Sequence, residues 1–253
     1  MSLLGGLRNC LAFLTIIPVG MDNDGVLQAA KYMPLFPVIG AAIGFLAGAL
    51  VWALDPILPS LVVGMLGLGF ILLITGVHHT DGLLDFGDGV MFHGSPEEKL
   101  RVMRDPQTGA GGLSIGLVVL LGTAFSIAEL SPIIVVQSLT ASETAAKFSM
   151  VFQAWAGKSA HEGLNTPFIN AMHGKRGHIR LATAFILFIA VLTTALQITV
   201  ALSVIFSVLI TAAATLLIAH RHFGGITGDV LGATNDLSRL VSLLAVLVMI
   251  NWA

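Results

Sequence analysis

HHTDGLLDFGDG, residues 78–89, decides how the rest of the chain is read. It follows a long apolar run and spaces Asp81, Asp85 and Asp88 by four and then three residues. On a helix continuing from that run, the three carboxylates share one face. Like charges packed that closely repel one another unless a cation neutralises them. An all-oxygen donor set suits a hard divalent ion, Mg²⁺ or Mn²⁺, and such ions most often serve phosphate chemistry. The plainer reading is a solvated acidic turn. The apolar setting argues against it, because carboxylates at a membrane edge are costly and usually functional.

That setting extends along the whole chain. Of 253 residues, 56% are hydrophobic and only 10% charged, whereas soluble domains carry roughly 25% charged residues. This composition predicts an all-α, polytopic integral membrane bundle forming a single domain over residues 1–253. A spanning helix needs about 20 mostly apolar residues. Candidate spans are 36–54, 60–78, 112–130, 133–156, 181–196, 198–219 and 238–252, giving about six to seven transmembrane helices. The apolar stretch 181–219 is too long for one helix and is expected to fold as a hairpin near Gln197. Upstream, the short apolar run Cys10–Val19 is broken by Pro18 and lacks a cleavage site, so it reads as an interfacial or re-entrant segment rather than a signal peptide. The single cysteine, Cys10, excludes an internal disulfide.

Lys and Arg decide the orientation. Arg8, Lys31, Lys99, Arg101, Arg104, Lys158, Lys175, Arg176, Arg180, Arg221 and Arg239 all fall on one side of these spans. The opposite loops are a few residues each. The charged side is therefore expected to be cytoplasmic, in a cell membrane. Four polar segments (1–35, 79–111, 157–180 and 220–239) meet there. A transporter usually binds its cargo near the midplane; chemistry gathered at one edge suits an enzyme acting on a cytoplasmic substrate.

Two further segments carry candidate groups. In SPEEKLRVMRDPQTGAGG (95–112), Ser95, Pro96, Glu97 and Glu98 read as the start of a short helix. Arg101 and Arg104 lie on one face of it, with the fork geometry that grips phosphate. Asp105 is placed to complete a metal shell or to hold Arg104. In HRHFGGITGDVLGATNDL (220–237), Gly225, Thr227 and Gly228 sit in a glycine-rich turn ahead of a helix, whose free N–H groups can bind phosphate. Asp229 and Asp236, seven apart, share a helical face. Among His78, His79, His220 and His222, one could act as a general base, and His79 adjoins the aspartates. His161, Glu162 and Asn165 are further candidates for lining the site. Glu143 and Lys147, four apart inside a span, read as a mutually neutralising pair.

Taken together, FLTIIPV (13–19), FPVIGAAIG (36–44), HTDGLLDFGDG (79–89), MRDPQTGAGG (103–112), EGL (162–164) and GGITGDVLGA (224–233) resemble the cobalamin synthase family. These are the adenosylcobinamide-GDP ribazoletransferases of vitamin B12 assembly. The resemblance runs almost end to end, and its two long motifs, at 79–89 and 224–233, are specific. It implies a membrane transferase dependent on one or two Mg²⁺ ions, held by Asp81, Asp85 and Asp88 with Asp105 or Asp229. It implies adenosylcobinamide-GDP and α-ribazole (or its 5′-phosphate) as substrates, adenosylcobalamin (or its 5′-phosphate) and GMP as products, and no nucleic acid. A homo-oligomer is left open. The chain departs from the family pattern at Ile16, Glu143, Ala160 and Asp236. Two rival readings are a CDP-alcohol phosphotransferase, whose Asp-Gly-x-x-Ala-Arg pattern fails after Asp81-Gly82, and a cation-coupled transporter.

Overall fold

A computed structural model describes residues 2–251 of the chain. Among these residues there are twelve α-helices and no strand beyond one isolated bridge, Ser159 to Ile226. In chain order they are α1 (Leu3–Leu14), α2 (Gly25–Lys31), α3 (Phe36–Leu54), α4 (Ser60–Ile74), α5 (His78–Met91), α6 (Pro96–Val102), α7 (Ala110–Ala128), α8 (Val135–Ala156), α9 (Thr166–Met172), α10 (Gly174–Ala195), α11 (Ile198–Phe223) and α12 (Gly228–Asn251). A 3₁₀ turn, Met33–Leu35, leads into α3.

Five segments are each long and apolar enough to cross a membrane: Met33–Leu54, α7, α10, α11 and α12. The pair α4–α5 passes that test only when joined, and it is bent by 97°. Large apolar side chains such as Ile186, Phe206, Val118 and Leu217 point outward from these helices, each at least 66% exposed. Hydrocarbon, not water, is the solvent that tolerates such a surface. The protein is a multi-pass membrane helix bundle.

At its centre stands α8. It is less apolar than the five and is buried on nearly every face, against α3, α10, α11 and α12. On α3, Gly40, Gly44 and Gly48 recur every fourth residue, and a Cβ at any of them would collide with the α8 backbone. Small residues at this spacing let two membrane helices approach closely, so that packing rather than hydrophobic expulsion holds them.

Where α8 meets α12, four charges are buried together. Arg239 donates through Nε to Glu143 and through Nη1 to Asp236 Oδ1 at 2.6 Å. Lys147 Nζ lies 3.7 Å from Glu143 Oε2 and donates to Asn235 Oδ1 at 2.6 Å. Two acids and two bases cancel, which is the arrangement that charges in hydrocarbon require. The expected Glu143–Lys147 pair is present, but Arg239 is the closer partner of Glu143.

The element boundaries correct three expectations. The span expected over 60–78 stops at Ile74. Gly76 (φ 66°) follows as the left-handed residue of a Schellman cap, with Val77 N–H donating to Leu72 O and Gly76 N–H to Leu73 O. Val77 is also left-handed (φ 63°), a strained setting for a β-branched residue. Together the two residues turn the chain by 97° into α5, so the aspartates lie on a separate helix rather than on a continuation of α4. The last span begins at Gly228, ten residues before the expected 238, because Thr234, Asn235, Asp236 and Arg239 find partners inside the bundle. Arg239 is therefore an interior residue, 1% exposed, and not a marker of sidedness. At the other end, the apolar run 10–19 is not one element: α1 ends at Leu14, before Pro18.

Candidate functional site

The site is assembled around α5, which runs across the first turns of α7 and α12 instead of beside them. Close approach makes this possible. A Cβ at Gly82 would stand 2.8 Å from Asp229 Cα, and one at Gly87 would stand 2.9 Å from Gly112 Cα. We therefore place α5 outside the spanning helices, at one end of the bundle. Lys99 holds its far end: its Nζ donates to Gly89 O, Val90 O and Phe92 O, carbonyls of the last turn of α5. Lysine at a helix C-terminus is favoured both by the dipole and by these free acceptors. Sequence reasoning gave Lys99 no role.

The carboxylates converge as the spacing suggests, but they differ in their surroundings. Asp85 is pushed up to about 7, first by burial and then by Asp229, Asp81 and Asp88. Burial and neighbouring like charge both disfavour the ionised carboxylate, and here burial is the larger of the two. Asp229, in the first turn of α12, accepts from Thr227 Oγ1 at 3.2 Å. Thr227 in turn caps that helix by accepting from Val230 N–H.

Asp88 has a different task. Its Oδ2 accepts from Gly109 N–H at 2.7 Å and its Oδ1 from Gly112 N–H at 2.8 Å. Helix α7 has no cap of its own, so Asp88 supplies one from α5, at the positive end of the helix. Its negative charge is already partly compensated there. Asp105 accepts from Gln107 N–H in a local turn and lines a shallow hollow with Asp88, away from Asp81 and Asp229. Asp236 does not face substrate: it is fully buried and accepts from Arg239, from Asn235 Nδ2 and, at 2.8 Å, from Thr80 Oγ1 on α5. An ionised carboxylate in the bundle interior needs just such partners. This corrects the expectation of a substrate contact.

Asp81 and Asp229 line a cavity of about 440 Å³. His78, His79, Asn165, Gly228 and Gly232 line it with them, beside apolar residues such as Phe13 and Leu164. His79 is 7% exposed, and its Nδ1 has no hydrogen-bond partner. Gly228 has open space where a Cβ would be, so its backbone is approachable; Gly225 instead packs on the 158–160 backbone and serves the fold. Of the residues expected from segment 157–180, Asn165 reaches the cavity and His161 and Glu162 do not. Arg101 and Arg104 are exposed and line neither this cavity nor the hollow beside Asp88. Arg104 lies beyond the end of α6, so the two do not share a helical face as expected. The expected helix start at Ser95 is present as a capping box with Glu98.

Among the described residues, no three Asp, Glu, His or Cys side chains stand ready to ligate one ion. The donor chemistry nonetheless fits a hard divalent cation, because the charged groups that act on Asp85 are all carboxylates. Asp81, Asp85 and Asp229 are the residues that fit.

A profile of the family described as cobalamin-5-phosphate synthase matches residues 6–247. The chain is 35% identical to the adenosylcobinamide-GDP ribazoletransferase of Methanococcoides burtonii, over 97% of this chain and 92% of that protein. It is 31% identical to the protein of the same name from Methanosarcina mazei, over 99% and 94%. It is 34% identical to that from Halorubrum lacusprofundi, over 95% and 96%. No solved structure matches it. End-to-end coverage of both partners in each comparison leaves one conclusion: the chain belongs to the cobalamin-5-phosphate synthase family.

Proposed function

We propose that this protein is an Mg²⁺-dependent adenosylcobinamide-GDP ribazoletransferase of the cell membrane. It joins α-ribazole, or its 5′-phosphate, to the activated corrinoid and releases GMP. The observation that carries the reading is the convergence of Asp81, Asp85 and Asp229 where α5 crosses the start of α12, beside a cavity. In this reading Asp81, Asp85 and Asp229 hold one or two Mg²⁺ ions, which supply charge stabilisation to the diphosphate and to the leaving phosphate.

The residues of the chain do the rest. A ring hydroxyl of the ribose, not the 5′ position that the 5′-phosphate carries through to product, attacks the phosphorus joined to cobinamide, and the bridging P–O bond to GMP breaks. The hydroxyl proton passes to a basic group on the cavity wall, an aspartate or a histidine; His79 is the weaker acceptor, because burial and the charges of Lys147 and Arg239 hold it well below its ordinary value and its Nδ1 is enclosed. Asp88 keeps the start of α7 locked to α5 during the transfer. The polar end faces the cytoplasm, where Lys and Arg gather.

The test is GMP release by purified protein in detergent with lipid, with and without α-ribazole and with Mg²⁺ or EDTA. Release that needs both α-ribazole and metal is expected. Folded protein that releases no GMP overturns the reading, and CMP release from a CDP-alcohol would replace it with the phosphotransferase alternative. The transporter alternative loses its main support in the interior, because Glu143 and Asp236 are already paired with Arg239.

A further inference from the structure

Threonines in the long helices return their hydroxyls to their own backbone. Thr123, Thr144 and Thr211 each donate to the carbonyl four residues back, as does Thr75 at the end of α4. Thr80 does not. It stands in the first turn of α5, which begins at His78, so its own helix offers no carbonyl four residues back. Its Oγ1 donates instead across to α12, to Asp236 Oδ2 at 2.8 Å, and both residues are buried. The acceptor is itself held. Asp236 Oδ1 accepts from Arg239 and from Asn235, and Arg239 also grips Glu143 on α8.

That tie bears on the carboxylates beside it. Near Thr80, α5 and α12 touch at two other points: a Cβ at Gly82 would stand 2.8 Å from Asp229 Cα, and one at Gly232 would stand 2.9 Å from His79 O. Such glycine contacts let the helices come close but carry no direction, whereas a hydrogen bond does. Asp81 follows Thr80 directly and lines the same cavity as Asp229, and Asp85 lies one turn further along α5. Side chains reach about 5–6 Å from a helix axis, so turning α5 by about 20° would carry a carboxylate about 2 Å. Mg²⁺ takes its oxygens at about 2.0–2.1 Å in near-ideal octahedral geometry and does not tolerate such a shift.

We propose that Thr80 is a positioning residue: its bond to Asp236 sets the rotation of α5, and with it the distance of Asp81 and Asp85 from Asp229. The role rests on the reading of those three carboxylates as the Mg²⁺ site, and it adds what keeps the two helices that carry them in register. One acid of the interior charge set thereby aims the helix that bears two of the ligands.

Metal affinity is measured without turnover, by titrating Mn²⁺ into detergent-solubilised full-length protein and following the free ion by electron paramagnetic resonance. Thr80→Val keeps the shape of the side chain and loses the donor. It should weaken Mn²⁺ binding by about tenfold, the lower end of what losing an outer-sphere partner costs. Thr80→Ala should do the same while leaving room for a water beside Asp236, so that the carboxylate is not stranded. Thr80→Ser keeps the hydroxyl and should bind as the unaltered protein does. Thr123→Val removes a buried hydroxyl that bonds its own helix, and it should change nothing. In turnover, the Mg²⁺ concentration for half-maximal GMP release should rise in the valine and alanine variants and return in the serine variant, with KM for α-ribazole unchanged. A melting curve confirms that each variant is folded. Unchanged Mn²⁺ affinity in a folded valine or alanine variant, or a serine variant as weak as valine, overturns the role. The two readings fail separately. Mn²⁺ binding that ignores every change at Thr80 sinks the positioning role alone; an unaltered protein that binds no Mn²⁺ and releases GMP in EDTA sinks the metal site itself.

Discussion

Two groups of buried or half-buried charge lie within a few turns of each other and are built on opposite rules. In the bundle interior, Glu143, Lys147, Asp236 and Arg239 form a set of two acids and two bases with every acid paired. At the edge, Asp229, Asp81 and Asp88 add like charge around Asp85, whose carboxyl is pushed up to about 7 by burial first and by those neighbours second. Thr80 joins the two groups: it follows His79 on α5 and donates to Asp236. The difference teaches that charge in an apolar protein has to be read by its balance. A neutral set is structure; an unbalanced set awaits something from outside.

The contrast can be broken most severely from the neutral side. Arg239→Met strips Asp236 of its ion-pair partner and leaves Glu143 only Lys147, and losing one member of a buried ion network costs about 3–5 kcal/mol. Expression and melting temperature should fall together, and adding Asp236→Asn, which leaves Glu143 balanced by Lys147, should restore much of the loss. If the single variant melts normally, the set is not structural.

At the acidic cluster the expected loss is of function alone. Asp85→Asn or Asp81→Asn should cut GMP release on the order of 100-fold or more while the fold survives, as expected for removal of a metal ligand. Unchanged turnover in both would detach the cluster from the chemistry.

A gentler probe is pH. The folded protein keeps a proton on Asp85 up to about 7, whereas an unfolded aspartate releases it near 3.8. Metal-free protein therefore binds more protons folded than unfolded in that window, and its stability should fall as pH rises through it. Mg²⁺ should offset the fall at neutral pH and have little effect at the acidic end of the window. A melting temperature indifferent to Mg²⁺ at both ends would argue against a cation there. The smallest effect belongs to Asp88, whose task is capping: Asp88→Ala should cost about 1 kcal/mol of stability and impair turnover less than Asp85→Asn. An equal loss of turnover at constant stability would return Asp88 to the metal site.

The helical membrane architecture was legible because hydrophobic runs of membrane length have few alternatives. The acidic helix was legible because its spacing is regular. What escaped was set by packing between distant segments. Nothing local marks Asp88 as the cap of α7, since its partners are 21 and 24 residues away. Arg239 reads as a flanking charge until Glu143, 96 residues earlier, is seen beside it. The Gly76-Val77 bend was hidden for the opposite reason: an apolar run continues through it, and only the cap geometry shows where one helix stops. The packing of Phe13, Phe36 and Phe168 behind the cavity joins the first residues of two separate motifs to a residue that lies in none.

The glycines of α5 carry a consequence for anyone wishing to strengthen this protein. Replacing helical glycine by alanine is a standard stabilising change, worth up to about 1 kcal/mol per position. Here it would misfire. Gly82 lies against α12, Gly87 against α7, and Gly89 against Met103 and Phe223. The helix is keyed on three sides like a tumbler in a lock, and a single methyl group at Gly82 or Gly87, where backbone faces backbone, would jam it out of register with the helices that complete its site.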